Sequence, residues 1–97
     1  MFRRYFDVEL TFNDVRYFEI QIDPHYEEKH SGSINDLLII DLLKKVDNKT
    51  FSVVAERDGY SYFEIDVELH NKLYRLILVT PFDNIYLGVR NAYRRSR

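Results

Sequence analysis

The stretch "KLYRLILVTPFDNIYLGVRNAYRRSR", residues 72–97, decides the fold: two apolar runs, parted by a turn signal, are threaded with Arg75, Arg90, Arg94, Arg95 and Arg97. "KLYRLILVT" is apolar at odd and even positions alike, as a central strand buried on both faces should be. "PFDN" turns the chain, and "NIYLGVRNAYRR" returns as a closing strand. Immediately upstream, "YSYFEIDVEL" alternates cleanly and "HN" is a two-residue hairpin turn. Pairing Leu69 with Lys72 sets Asp66 opposite Arg75, and a turn through Pro81 to Asn84 sets Arg75 opposite Arg90.

That register sorts the side chains by face. One face carries Phe63, Ile65, Val67, Leu69, Tyr74, Leu76, Leu78, Ile85, Leu87 and Val89, and is expected to be the core face. The other carries Tyr60, Tyr62, Glu64, Asp66, Glu68, Arg75, Tyr86, Gly88, Arg90 and Arg94. Two arginines opposite each other repel by a few tenths to about 1 kcal/mol unless a carboxylate or a bound anion intervenes. Asp66 is the carboxylate at hand; a phosphate held by Arg75, Arg90 and Arg94 is the functional alternative, with Tyr62 or Tyr86 to stack or hydrogen-bond. Gly88, inside a strand, marks either a bulge or a close approach of a ligand.

Toward the N-terminus, "YFDVELTF" and "RYFEIQI" have period two, with Phe6, Val8, Leu10, Phe12, Phe18, Ile20 and Ile22 as the apolar set. Keeping that set on one face requires a three-residue or bulged turn at Asn13-Asp14-Val15. "DPHYEEKH" starts a short helix or structured loop, capped by Asp23 with Pro24 in the first turn. "SINDLLIIDLLKKV", from about Ser33 to Val46, is the main helix: Ser33 caps, Asp36 is the capping-box acid, and Ile34, Leu37, Leu38, Leu42 and Val46 form the apolar face. Lys44 and Lys45 stand near its C-terminal dipole. "FSVVAE" reads as a short strand and "RDG" as its turn. The expected fold is therefore α+β in a single domain, 1–97: an N-terminal hairpin, one main helix, then an antiparallel meander of three to four strands with the helix on one face.

The net charge of −2 conceals an asymmetry. Fifteen acids stand among residues 5–71 against six bases, whereas residues 72–97 hold Lys72 and five arginines against Asp83 alone. An acidic body carries a basic end. The absence of cysteine removes disulfides and thiolate metal sites, and no run approaches the roughly 18 to 20 apolar residues of a membrane helix. "MFRRYFDVEL" enters the alternating pattern directly instead of a signal-peptide block, so the expectation is a cytoplasmic protein without a membrane partner. His25 and His30 fall about 140° apart on a helix, which is not the spacing of a two-ligand metal pair, so no metal or other cofactor is expected. Either histidine has the chemistry of a general acid or base near neutral pH.

A two-turn "PHYEEKH", a core helix and a meander ending in a Tyr-Arg strand resemble, over roughly residues 23–95, the RelE-like toxins of the barnase, EndoU, colicin and RelE group of small ribonucleases. The resemblance implies helices over one sheet face, and on the other a metal-free site that cuts RNA through a 2′,3′-cyclic phosphate. It implies acid/base roles for His25 or His30, phosphate contacts for Arg75, Arg90 and Arg94, and a catalytic aromatic at Tyr93. Tyr93 lies on the core face of the register above unless a bulge near Asn91 turns the strand. The partners implied are RNA or the ribosome and a neutralising antitoxin. A reading from a different class is a non-catalytic inhibitor or immunity-type module whose acidic surface mimics nucleic acid. An edge-strand homodimer is compatible with both.

Overall fold

The structure, a computed structural model, describes residues 3–96. Strands β1 (Arg4–Phe12), β2 (Val15–Ile22), β3 (Ala55–Arg57), β4 (Tyr60–Leu69), β5 (Lys72–Pro81) and β6 (Leu87–Arg95) form one sheet in the order β1-β2-β6-β5-β4-β3. Between β2 and β3 come a 3₁₀ turn, Pro24–Tyr26, and two short helices, α1 (Glu27–His30) and α2 (Asp36–Val46).

This corrects the expected fold. Where a hairpin, one main helix and an antiparallel meander were expected, the hairpin and the meander are a single six-stranded mixed sheet with two short helices, and the helical share is small. The cause is the parallel pairing of β2 with β6, which sets Ile20 against Leu87 and Ile22 against Val89. All four side chains are fully buried there. A two-stranded hairpin left to itself would expose that apolar edge and be marginal in water.

Local chemistry accounts for the other departures. The β1–β2 turn is a two-residue one, with Asn13 and Asp14 at φ 50° and 64°, the left-handed conformations that suit the twist of a hairpin. The parity problem of such a turn is solved further along, where the register shifts between Asp7 and Leu10 so that Val8 and Glu9 oppose Phe18. As a result Tyr17 turns into the core and Phe18, expected there, is 62% exposed.

The α2 cap is Asn35, in extended conformation, with Oδ1 accepting from Leu38 N at 2.8 Å. The cap thus moves from the expected Ser33 to Asn35, two residues later, Asp36 is not a capping-box acid, and the inward face is Ile39, Ile40, Leu42, Leu43 and Val46. Leu37 is 76% exposed. "FSVVAE" yields strand only at its end, in Ala55–Arg57. Just before it the chain runs beside β1: Lys49 bridges Phe12, and the Asn13 side chain bonds both N and O of Phe51. Phe51 stacks on Phe12, whose ring meets Phe63 edge-on at 4.9 Å.

The β4–β5 register is the one expected, with Leu69 opposite Lys72 and Asp66 opposite Arg75 across the turn at His70 and Asn71. On the core face, Phe63, Ile65, Leu76, Leu78, Leu87 and Val89 join the α2 side chains in one apolar cluster. Ile85, assigned to that face, is 67% exposed because β6 begins only at Leu87.

Candidate functional site

The decisive irregularity is in β6. Ile77 pairs with Asn91 and Leu78 with Val89, so Arg90 is an extra residue without a partner on β5. Because β6 starts late, Leu78 already faces Val89 where Leu87 was expected, and with the bulge added Arg75 faces Tyr93, and not Arg90 as the regular register required. The bulge also turns Tyr93 out of the core parity and onto the outer face with Arg75.

After β2 the chain continues beside β6, because Asp23 N donates to Val89 O at 2.9 Å. The 3₁₀ turn and α1 therefore run along the stretch of β6 that β2 leaves unpaired, and the His30 ring comes to lie 5.3 Å from that of Tyr93. Across the strands, Arg75 Nε donates to Asp66 Oδ1 at 2.9 Å and Nη1 to Glu64 Oε1 at 3.4 Å. The hydrogen bond to Asp66, and then the nearby Tyr93 hydroxyl, hold the Arg75 guanidinium more firmly protonated than a free one. Arg95 Nη1 shares the same carboxylate, donating to Asp66 Oδ2 at 2.8 Å. Asp66 is held below the usual carboxylate range, chiefly by its hydrogen bond from Arg75.

Tyr93, on β6, thus has His30 of α1 against its ring and Arg75 of β5 opposite it. Beside them lies a shallow cleft of about 310 Å³ lined by Asn71, Lys72, Leu73, Arg94, Arg95 and Ser96, three of them cationic and none acidic. Arg94 is exposed on its rim. Arg97 lies outside the described residues. His25 stands apart, exposed, with Nδ1 3.4 Å from Glu28 Oε2. Tyr62 is on the outer face with Arg57 over its ring at 4.5 Å.

Arg90 and Tyr86 belong to a second group higher on the outer face. Tyr86 lies over Gly88, where a Cβ would stand 2.7 Å from Val79 Cγ2 and 3.2 Å from Tyr86 Cε2. Its hydroxyl donates to Tyr60 at 3.1 Å and accepts from Arg3 Nη1 at 3.3 Å. Arg90 lies over the Tyr60 ring at 5.2 Å.

A third network had no signal in the periodicity. Arg4 grips Asp36 with Nε and Nη2, reaches Glu27 with Nη1, and Tyr26 donates to Asp36 at 2.6 Å. Burial and the Asp36 carboxylate push the Tyr26 phenol up to about 12. This clamp ties β1 to the start of α2 and to the segment that delivers His30. An arginine at a strand start and an aspartate at a helix start were its only traces in the sequence.

Among the described residues no three His, Asp or Glu side chains converge as a metal site, and no helix is long and apolar enough to cross a membrane. Comparison of the chain with protein-family models, with curated proteins and with solved structures gives no match.

Proposed function

We propose that the protein is a small toxin-type endoribonuclease that cleaves RNA without a metal ion, with His30, Tyr93 and Arg75 as its catalytic residues. The observation that carries this reading is that Tyr93 has His30 against its ring and Arg75 opposite it, three residue types suited to phosphodiester transesterification from three elements, beside a cleft lined by Lys72, Arg94 and Arg95.

The reaction asks for little. One of His30 and Tyr93 takes the proton of the ribose 2′-hydroxyl while its oxygen forms a bond to phosphorus. The bond from phosphorus to the 5′-oxygen breaks, and the other residue returns a proton to that leaving oxygen. The products are a 2′,3′-cyclic phosphate and a free 5′-hydroxyl. Arg75 stabilises charge on the non-bridging oxygens by exchanging a carboxylate of Glu64 or Asp66 for phosphate, which its planar fork can hold through two oxygens. Lys72, Arg94 and Arg95 guide the strand in. Action on cellular RNA or ribosomes places it in the cytoplasm, and a neutralising partner protein would be needed by the producing cell.

The test is RNA cleavage by the purified protein in the presence of chelator, with the cyclic phosphate as product. Tyr93→Phe, His30→Gln and Arg75→Ala should each lower the rate by about 10²- to 10⁴-fold, the usual worth of a positioned acid, base or charge stabiliser, while leaving the folded structure intact.

A second reading, a non-catalytic interaction module, draws on one observation: Arg75 is already engaged by Asp66 and Glu64, on a face where aromatics and charges of both signs alternate. A folded protein that leaves diverse RNAs and translating ribosomes intact would establish this alternative and end the ribonuclease reading.

A further inference from the structure

The upper group on the outer face is short of acceptors. Arg90 Nε is buried and has no hydrogen-bond partner among the described residues, although a buried charged donor left unpaired is costly and rare. Neither Arg90 nor Arg3 forms an ion pair among the described residues. This sets them apart from Arg75, Arg95 and Arg4, each of which holds a carboxylate.

The hydroxyls around them are arranged as donors too. Tyr60 accepts from Tyr86, and among the described residues its own hydrogen has no acceptor. That hydrogen bond, with Arg3 and Arg90 close by, pulls the Tyr60 phenol below its usual range. Gln21 accepts from Arg3 at 3.5 Å and directs its amide to Glu19 at 2.7 Å. Asp23 also lines the recess, but its Oδ1 is used by His25 N.

The recess between Arg3, Gln21, Tyr86, Gly88 and Arg90 has a volume of about 10 Å³. That is room for a single oxygen atom. It opens onto the outer face, so the oxygen can belong to a larger group seated above. Gly88 is what keeps the floor open, since any side chain there would meet Val79 and Tyr86.

We propose that this is an oxyanion site that takes one oxygen of a phosphate group, with Arg90 Nε as the donor, Arg3 as the second cation and the Tyr60 hydroxyl, next to Tyr86 at its edge, for the phosphate's other oxygens. A phosphate supplies the acceptor oxygens that the unpaired Arg90 Nε and two guanidiniums without a carboxylate call for. The phosphate can come from the backbone of RNA or from a free phosphate or nucleotide. The site does not rest on RNA cleavage: a chain with no nuclease activity could still hold phosphate here. Arg90 and Tyr93 are three positions apart on β6, about 10 Å at ordinary strand rise, so a bound strand could reach both places.

The experiment is a titration of the full chain carrying Tyr93→Phe, so that RNA stays whole, followed through the ¹⁵N–¹H resonance of Arg90 Nε. Inorganic phosphate should shift that resonance saturably. Arg90→Lys, which keeps the charge but removes the Nε donor and its planar fork, should weaken binding at least tenfold, as read from Tyr60 ring and backbone resonances. Arg57→Ala, on the same face but outside the recess, should leave binding unchanged. Competition by a 2′-O-methyl oligonucleotide would support the site with backbone phosphate as its source; saturable phosphate binding without such competition would support it with a free phosphate as its source. The proposal is overturned by no saturable shift with either probe, by equal binding in Arg90→Lys and its parent, or by an equal loss in Arg57→Ala.

Discussion

Two arginine clusters share the outer face of one sheet, and they have opposite electrostatic character. Around Arg75 the cations are matched: Asp66 and Glu64 hold its guanidinium, and Asp66 also takes Arg95. Around Arg90 they are not; tyrosine hydroxyls and an aromatic face stand in place of carboxylates, and one buried N–H has no partner among the described residues. Matched charge is already organised in the absence of a ligand and can exchange one oxygen partner for another. Unmatched charge waits for its partner and binds by being relieved. The first character suits a place where chemistry passes through, and the second suits a place where a group is held.

The strongest way to break this contrast is from below. Leu76 is fully buried between the two clusters, next to Arg75 in β5 and opposite Ala92 in β6. Leu76→Ala should cost on the order of 2–5 kcal/mol through the cavity it leaves. Denaturant unfolding should show that loss, and both clusters should lose their binding together.

A change at Gly88 should separate the clusters. Gly88→Ala introduces a Cβ 2.7 Å from Val79 Cγ2 and displaces the Tyr86 ring, at a cost of about 1–3 kcal/mol for overpacking. Phosphate binding at Arg90 should fall, while the ring contact of His30 with Tyr93, followed by proton NMR, should persist. Equal disturbance of both would show that the two are one cooperative unit.

The smallest expected effect comes from Asp66→Asn. Asp66 and Arg75 are partly exposed, so solvent screening makes their pairing a weak contribution. The Asp66 carboxyl is depressed in the folded chain, so its contribution is present above the unfolded value near 4 and is lost as pH falls through the lower folded value. In Asp66→Asn, denaturant midpoints measured between about pH 5 and pH 2 should therefore fall less steeply with acid than in the wild type. The same variant frees Arg75 and should tighten RNA binding; an unchanged affinity would mean that the carboxylate does not compete with phosphate.

Much of this site was legible in residue types and little of it in positions. His70-Asn71 is a strong two-residue turn, so the β4–β5 register and the pairing of Asp66 with Arg75 followed from counting. The β5–β6 register did not, because the bulge at Arg90 and the late start of β6 at Leu87 leave no mark in an alternating string. The late start took Arg90 away from Arg75, and the bulge then set Tyr93 there in place of Ala92. The exchange of Tyr17 for Phe18 in the core has a similar origin, since one aromatic is as apolar as the next until the bulge at Val8 and Glu9 decides. Parallel contact between β2 and β6 is a relation between distant segments, and period-two patterns carry no information about it. The recess between Arg3, Gln21, Val79 and Arg90 needed three strands and the segment before a fourth to be in place before it existed at all.

The parallel pair of β2 and β6 also sets the order of events in folding. β2 is made early, yet its apolar edge finds Leu87 and Val89 only in the last strand of the sheet. Contacts so far apart in sequence form late, because the intervening chain must first be gathered in. The delivery of α1 to β6 depends on the same closure, through Asp23 and Val89. A nascent chain would therefore carry β1, β2 and α2 without the neighbours that β6 brings to His30 and Arg75, and these would come together only once β6 is available. For a protein read as harmful to the RNA of its own cell, the fold itself delays the hazard until synthesis has passed β6.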